Sequence, residues 1–257
     1  MSNGICLITG GSRGIGASCA RLAAQRGWHV VINYNSNLAA AELVAADVVA
    51  AGMNAKTVQG NIATQDGVEA TYAAVDAFAV ELGEPLSAVI NNAGASDPVG
   101  DLSTFSYDRV ERVVALNVTG AIWVAREAVM RMATRFGGQG GSIVNLSSAS
   151  AKLGSPDAFI DYAATKGAID SFTIGLALEW ARDGIRCNAV RPGIIDTEFQ
   201  ANVGRPDRPK TDGPKTPMGR AGTPDEVAEA ILWLMSDAAS YTTGGFIDIS
   251  GGRSAIP

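Results

Sequence analysis

The sequence predicts a single doubly wound α/β domain: one parallel sheet with helices packed on both of its faces. Short apolar runs rich in β-branched residues alternate with longer amphipathic stretches from one end of the chain to the other. That is the pattern of strands buried on both faces by crossover helices. A glycine-rich turn, "TGGSRGIG" (9–16), ends the first apolar run and opens the first amphipathic stretch. No linker, repeat or low-complexity tract divides the 257 residues, so 1–257 is read as one domain.

The elements follow in order. "ICLIT" (5–9) predicts the first strand, and the glycine turn leads into a helix over 14–26. "HVVINY" (29–34) is the second strand, followed by a helix over 37–51; "AKTVQG" (55–60) is the third, followed by a helix over 65–82. "SAVIN" (87–91) precedes one long helix over 106–134, "SIVNLS" (142–147) precedes a helix over 160–182, and "IRCNAVR" (185–191) is the sixth strand. Thr223-Pro224 with Glu226 starts a last helix over 224–236, a cap residue before proline in the first turn, and "GFIDIS" (245–250) closes the series. Between them, residues 192–222 hold Pro192, Pro206, Pro209, Pro214 and Pro217, too many for a long helix. A loop of that length inside a compact domain reads as a lid or substrate loop.

Composition narrows the function. There are 20 basic against 26 acidic side chains, a net charge of −6, and 47% of residues are hydrophobic, which argues against a surface that tracks the phosphates of a nucleic acid. The N-terminal "MSNGICLITGG" has no basic stretch before an apolar one, and no segment offers ~18 consecutive apolar residues. The expectation is a soluble cytoplasmic protein with no membrane partner. Cys6, Cys19 and Cys187 are odd in number, far apart and set in apolar segments, which suits buried thiols better than a disulfide or metal site; no metal is expected. His29, the only histidine, begins the second strand, at the end away from the glycine turn.

Two motifs carry chemistry. Gly10, Gly14 and Gly16 lie where backbone approaches a ligand and the amides of a helix N-terminus point outward. "YAATK" (162–166) sets Tyr162 and Lys166 four residues apart, on one face of a helix. A free tyrosine has a pKa of about 10, and bringing it to neutrality takes ~4 kcal/mol of preferential stabilisation of the phenolate. A neighbouring ammonium supplies part of this; on spacing alone, such a pair is more often an ordinary feature of a helix surface.

With TGxxxGxG at the start, "NNAG" at 91–94 and YxxxK at 162–166 in that order, the chain resembles the short-chain dehydrogenase/reductase (SDR) family over essentially its whole length. The resemblance implies a seven-stranded Rossmann-like parallel sheet, a nicotinamide dinucleotide over the C-terminal strand ends, and a homotetramer or homodimer. Pairing would use the helices near 106–134 and 160–182, the last strand and the tail "GGFIDISGGRSAIP". It implies a catalytic tetrad in which Tyr162 exchanges a proton with the substrate oxygen, and Lys166 holds the nicotinamide ribose and keeps the tyrosine acidic. Ser148 bonds the substrate oxygen, and Asn117, in "ALNVTG", holds a water that links Lys166 to solvent. Ser148 lies 14 residues before Tyr162 where the commoner family spacing is one shorter, so an insertion within 150–160 is inferred, with Ser147 as the alternative.

For the dinucleotide, the resemblance implies contacts from Gly10, Ser12, Arg13, Gly14, Ile15 and Gly16. Asn61 and Ile62 stand where relatives place an aspartate and an apolar residue against the adenine. Asn91, which also knits neighbouring strands, borders the cofactor with Ala93 and Gly94, while Asn92 is read as structural. Pro192 and Gly193 shape the turn after the sixth strand, the Ile195 backbone meets the nicotinamide carboxamide, and Thr197 bonds that group or the pyrophosphate. "NYNSN" (33–37) has no acid to receive a ribose hydroxyl, with Tyr34 in its place. Arg13, Asn35 and Ser36 are available to a 2′-phosphate, so NADP(H) is preferred and NAD(H) possible.

The expected activity is hydride transfer between NADP(H) and a small-molecule carbonyl or secondary alcohol. The alternative from another class is a non-catalytic dinucleotide sensor or scaffold, which would be expected to lack Tyr162 or Lys166. Within enzymes the alternatives are a 3-oxoacyl-carrier-protein reductase and a glucose or sugar dehydrogenase. The net charge and Asp183 disfavour an acidic carrier protein, unless Arg131 and Arg135 form a local basic patch. The residues expected to line the substrate pocket, Ala95, Ser96, Ser150, Phe159, Ile194 and Phe199, are small or apolar and suit a neutral substrate.

Overall fold

The structure, a computed structural model, describes residues 2–255. Seven strands, β1 (Ile5–Ile8), β2 (His29–Tyr34), β3 (Ala55–Gln59), β4 (Leu86–Asn91), β5 (Gly141–Leu146), β6 (Ile185–Pro192) and β7 (Phe246–Ile249), form one sheet in the order β3-β2-β1-β4-β5-β6-β7. Every neighbouring pair is parallel. The chain winds outward from β1 in one direction and, after β3, from β4 in the other. Adjacent crossovers therefore diverge between β1 and β4, and a crevice opens there at the C-terminal strand ends.

Strand periodicity divides the core in two. Cys6, Ile8, Val30 and Ile32 face α1 (Gly14–Gln25), α2 (Leu38–Ala50) and the last long helix, through Cys19, Ala20, Val44, Val227 and Ile231. Ile5, Leu7, Val31 and Val89 face the other way, against α3 (Gln65–Leu82) through Tyr72 and Phe78 and against Val124, Met132 and Leu176 of two later helices. The buried Tyr72 hydroxyl donates to the Val124 carbonyl at 2.5 Å, so this aromatic core residue leaves no polar atom stranded. Cys6, Cys19 and Cys187 are all buried and unpaired.

The long helix expected over 106–134 is divided. α4 (Tyr107–Val114) runs into a π-helical turn, Ala115–Gly120, and then into α5 (Ala121–Met132). The turn lies where the helix presses against the loop after β3: a Cβ on Gly120 would stand 2.3 Å from the Ile62 carbonyl oxygen. Single π turns of this kind recur at functional sites, and this one carries Asn117. Tyr107–Met132 taken together is long and apolar enough to cross a bilayer, which the count of consecutive apolar residues did not indicate. Here Ala121, Val124, Ala125, Ala128, Val129 and Met132 of that stretch are buried.

After β5 come α6 (Ser150–Leu153) and the long α7 (Ile160–Trp180). The connection between them, where an extra residue is expected, turns through left-handed backbone at Gly154, Ser155 (φ 49°) and Asp157 (φ 54°). The proline-rich segment after β6 holds only short helices, α8 (Phe199–Asn202) and α9 (Arg208–Thr211), before α10 (Pro224–Met235), whose Thr223–Glu226 capping box is complete. His29 is tied to the backbone amide of Asn54 at the N-terminal end of the sheet, far from the crevice. In the expected buried tail, Ser250 and Ser254 are buried, whereas Ile256 and Pro257 lie outside the described residues.

Candidate active site

Side-chain amides shape the crevice. Asn92, just past β4, donates through Nδ2 to the carbonyls of Thr9 (2.8 Å) and Gly10 (3.1 Å), and the Thr9 hydroxyl accepts from the amides of Asn92 and Ala93. From the other side, Asn33 accepts from the Gly10 amide and donates to the Gly60 carbonyl and to Thr71. The glycine turn is thus bolted to both neighbouring strands. Gly10 (φ 62°) and Gly14 (φ 53°) supply its left-handed steps. A Cβ on Gly16 would stand 2.5 Å from the Gly10 carbonyl oxygen, so this glycine lets helix and turn touch.

The turn delivers the N-terminus of the 12-residue α1 to a cavity of about 350 Å³. Arg13, at the N-cap position, makes no side-chain cap, and the first turn holds no acidic residue. Its leading amides are thus left for an anion. Gly10, Ser12, Arg13, Gly14 and Ile15 line the cavity together with Asn35, Ser36, Asn61, Ile62, Ala93, Gly94, Pro192, Gly193, Ile195 and Thr197. A dinucleotide fits this donor set: an uncapped helix start for a pyrophosphate, and a Gly94 cradle where a Cβ would stand 3.1 Å from Asn117 Oδ1 and 3.3 Å from Lys166 Nζ.

Two expected cofactor residues are placed elsewhere. The Asn91 side chain donates to the Ala121 carbonyl and to Asn145 Oδ1 inside the fold, so it joins strand to helix and does not reach the cavity. Gly16 lies buried beneath the turn and not at the cavity wall. Among the expected substrate-pocket residues, Ala95, Ser150, Phe159 and Phe199 line the cavity, and Ser96 and Ile194 are buried away from it.

The other end of the cavity is built on α7. Asp161, in its first turn, pairs with Arg109 of α4 through two bonds of 2.7 and 3.2 Å, while Arg109 also donates to the Pro98 carbonyl. Both side chains are nearly buried. This clamp fixes the helix start beside Tyr162, which packs edgewise on Phe159 at 5.7 Å. One turn on, Lys166 Nζ donates to the Leu146 carbonyl at 2.6 Å and stands 5.5 Å from the centre of the Tyr162 ring. Asn117 does not line the cavity. It reaches the backbone of Ala95 with both ends of its amide (2.9 and 2.8 Å) and donates to Thr165. The Ser147 hydroxyl is spent on Asp170 and the Lys166 carbonyl, and Asp170 is in turn paired with Arg191. Ser148 is left as the hydroxyl beside Tyr162.

Burial dominates the electrostatics of the pair in the protein alone. Burial pushes the Tyr162 phenol up to about 12, against the opposing pull of the neighbouring Ser148 hydroxyl and the Arg208 charge. Burial pulls the Lys166 ammonium down to about 8, with the Asp170 carboxylate opposing. In the protein alone, desolvation is the largest influence on each group, and Lys166 is not among those that oppose the push on the phenol. Sequence reasoning also missed Gln200, Arg208 and Arg253, which line the cavity from the proline-rich segment and the C-terminal segment. No spacing rule signals where such an irregular chain folds back.

The lysine shift sets a dependence of stability on pH. Between about 8 and about 10.4, the unfolded chain keeps a Lys166 proton that the folded one has released, so wild-type stability should rise with pH in this window. Relative to Lys166→Met, the gain should approach about 1.4 kcal/mol per pH unit at its steepest. Urea unfolding of both proteins from neutral pH upward measures it, and parallel profiles would contradict the burial argument.

Comparison with known proteins agrees with this architecture. A family model described as enoyl-(acyl carrier protein) reductase matches residues 10–254. An uncharacterised oxidoreductase of Escherichia coli, YgfF, is 48% identical over 97% of this chain and 99% of its own. A short-chain type dehydrogenase/reductase from Mycobacterium marinum superposes with a TM-score of 0.90 at 31% identity, covering 99% of this chain and 97% of that one. The 3-ketoacyl-(acyl-carrier-protein) reductase of Brucella melitensis, solved with NADH, gives 0.88 at 32% identity over 98% and 99%. With a family model matched over nearly its whole length and relatives and solved structures of that kind covering it end to end, the chain belongs to the short-chain dehydrogenase/reductase family.

Proposed function

We propose that this protein interconverts a carbonyl and its secondary alcohol with NADP(H), using Tyr162 as the general acid/base. The observation that carries this reading is a buried phenol on the cavity wall with Ser148 beside it and Lys166 one helical turn away. When bound, the dinucleotide supplies or accepts the hydride. The amides from Ser12 to Ile15 would hold its pyrophosphate, Asn61 and Ile62 its adenine, Lys166 its nicotinamide ribose, and Ile195 and Thr197 its carboxamide side. Tyr162, protonated at neutral pH, passes its Oη proton to the substrate oxygen in reduction and recovers it in oxidation, while Ser148 Oγ donates a hydrogen bond to that oxygen. Lys166 Nζ, whose proton is loosely held, titrates with the tyrosine as a pair. By fixing Ala95, Asn117 steadies the chain that passes over both.

NADP(H) over NAD(H) rests on the nucleotide end of the cavity. No acid follows Tyr34, and the exposed Arg13 lines that end with Asn35 and Ser36, a set that suits a phosphate better than a hydroxyl. A non-catalytic sensor is disfavoured by the retained Tyr162, Ser148 and Lys166. An acidic carrier protein is disfavoured as substrate because the two arginines that would dock it are engaged: Arg131 with Asp76 and Glu127, and Arg135 with Asp183. The buried, unpaired cysteines suit a reducing cytoplasm, and the net charge of −6 suits neither nucleic acid nor an anionic membrane. Tyr107, Val110 and Val114 on α4 and Ile122 on α5, with Ile174 and Leu178 on α7, are exposed apolar side chains. These are the surfaces through which a homodimer or homotetramer would form.

Tyr162→Phe keeps the ring and its packing and removes the transferable proton. Turnover should fall more than ~10²-fold on any carbonyl the wild type reduces, with NADPH affinity unchanged. Retention of more than about 1% of activity would assign the proton to another group. Arg13→Ala should weaken NADPH and spare NADH in calorimetric titrations; equal losses for both would remove the 2′-phosphate assignment. Light scattering at micromolar concentration should give a dimer or tetramer, and a monomer would leave the apolar helix faces unexplained.

A further inference from the structure

The substrate loop places an under-partnered cation inside the cavity. Arg208, the first residue of α9, lines the cavity, and its side chain is only 12% exposed. Among the described residues its Nε has no hydrogen-bond partner, and Nη1 has only a 3.4 Å contact with Gln200 Oε1. The one carboxylate near it, Asp212, approaches Nε no closer than 3.7 Å. That carboxylate already accepts from Arg205 at 2.9 Å and Lys215 at 2.7 Å. Arg253 lines the same cavity and adds positive charge, against an exposed Glu198. A guanidinium withdrawn from water is costly to leave without an anion, and its planar fork suits two carboxylate oxygens.

The position of this charge is informative. The Arg208 guanidinium lies 5.4 Å from the centre of the Phe159 ring, and that ring packs on Tyr162. Its charge is felt at the phenol, where it opposes the upward push of burial. Phe159 and Phe199, both packed on Tyr162, give the cavity apolar walls beside the proton donor.

We propose that the substrate is an acid with an apolar body, its carbonyl or hydroxyl at Tyr162 and Ser148 and its carboxylate received by Arg208. This rests on the oxidoreductase reading and replaces the neutral substrate that the pocket composition implied. Arg208 thereby determines specificity and is not part of the proton transfer.

The test is direct binding. Benzoate against benzamide, and hexanoate against hexanamide, are titrated calorimetrically into the full chain with NADP⁺ present. In at least one pair the carboxylate should bind at least about tenfold more tightly than its amide. Arg208→Gln should bring that ratio to within about twofold of unity, and Arg208→Lys, which keeps the charge, should retain part of it. No carboxylate preference in the wild type, or one that survives Arg208→Gln, overturns the proposal. NADPH titrated into Arg208→Gln separates the two sources of anion: unchanged affinity supports a substrate role, and a loss of about tenfold assigns Arg208 to the phosphates of the dinucleotide and overturns it. Because the readout is binding, the result stands apart from the Tyr162→Phe assay. A fully active phenylalanine variant would sink the acid/base reading and leave the carboxylate preference measurable.

Discussion

The carboxamide of Asn92, bonded to the carbonyls of Thr9 and Gly10, is the contact on which the site depends. It spans the point where the sheet changes winding direction, between strands far apart in sequence and adjacent in space. Without a donor there, two carbonyls at the lip of the crevice would turn to water and the glycine turn would lose its hold on β4. Asn33 makes the matching bonds from the other side. Backbone groups that a regular ladder cannot satisfy at a sheet rim are satisfied instead by side-chain amides, and the cavity is the space these amides hold open.

The far end of the cavity follows a different logic. A phenol and an ammonium are both taken out of water, and each is driven toward its neutral form. A group that keeps its proton at neutral pH and lies in a dry wall is ready to donate it, and a base is made only when positive charge arrives nearby. The protein supplies geometry through the Arg109–Asp161 clamp and the Asn117 bridge. It leaves the last part of the electrostatics to whatever binds.

The succession of strands and helices along the chain, the two-sided core and the glycine turn were legible in the sequence because they are written in local periodicity and in residues with unusual backbone freedom. Strand limits agree within about two residues, the usual uncertainty of element ends. The Tyr162–Lys166 spacing and the glycine turn each pointed to residues that line one cavity. The sequence concealed what depends on the third dimension: the π turn at Ala115–Gly120 and the return of Arg208 to the cavity. Each results from a contact between segments that share no local pattern. The desolvation of Tyr162 and Lys166 is hidden for the same reason, since pair spacing is visible in a sequence and burial is not.

The π turn also alters the phase of the helix that contains it. Val113 and Val124 are eleven residues apart, and in an unbroken α-helix they would point in nearly the same direction. Here Val113 packs with Phe159 and Tyr162, whereas Val124 packs with Val89 and Leu176 in the core beneath the sheet. One wider turn lets a single continuous rod serve two cores whose bearings differ. The length of this segment is consequently fixed to the residue: losing or gaining one position between them would rotate the half before the turn by about 100° against the half after it. A substitution along this helix perturbs one site, whereas a change in its length turns one half against the other.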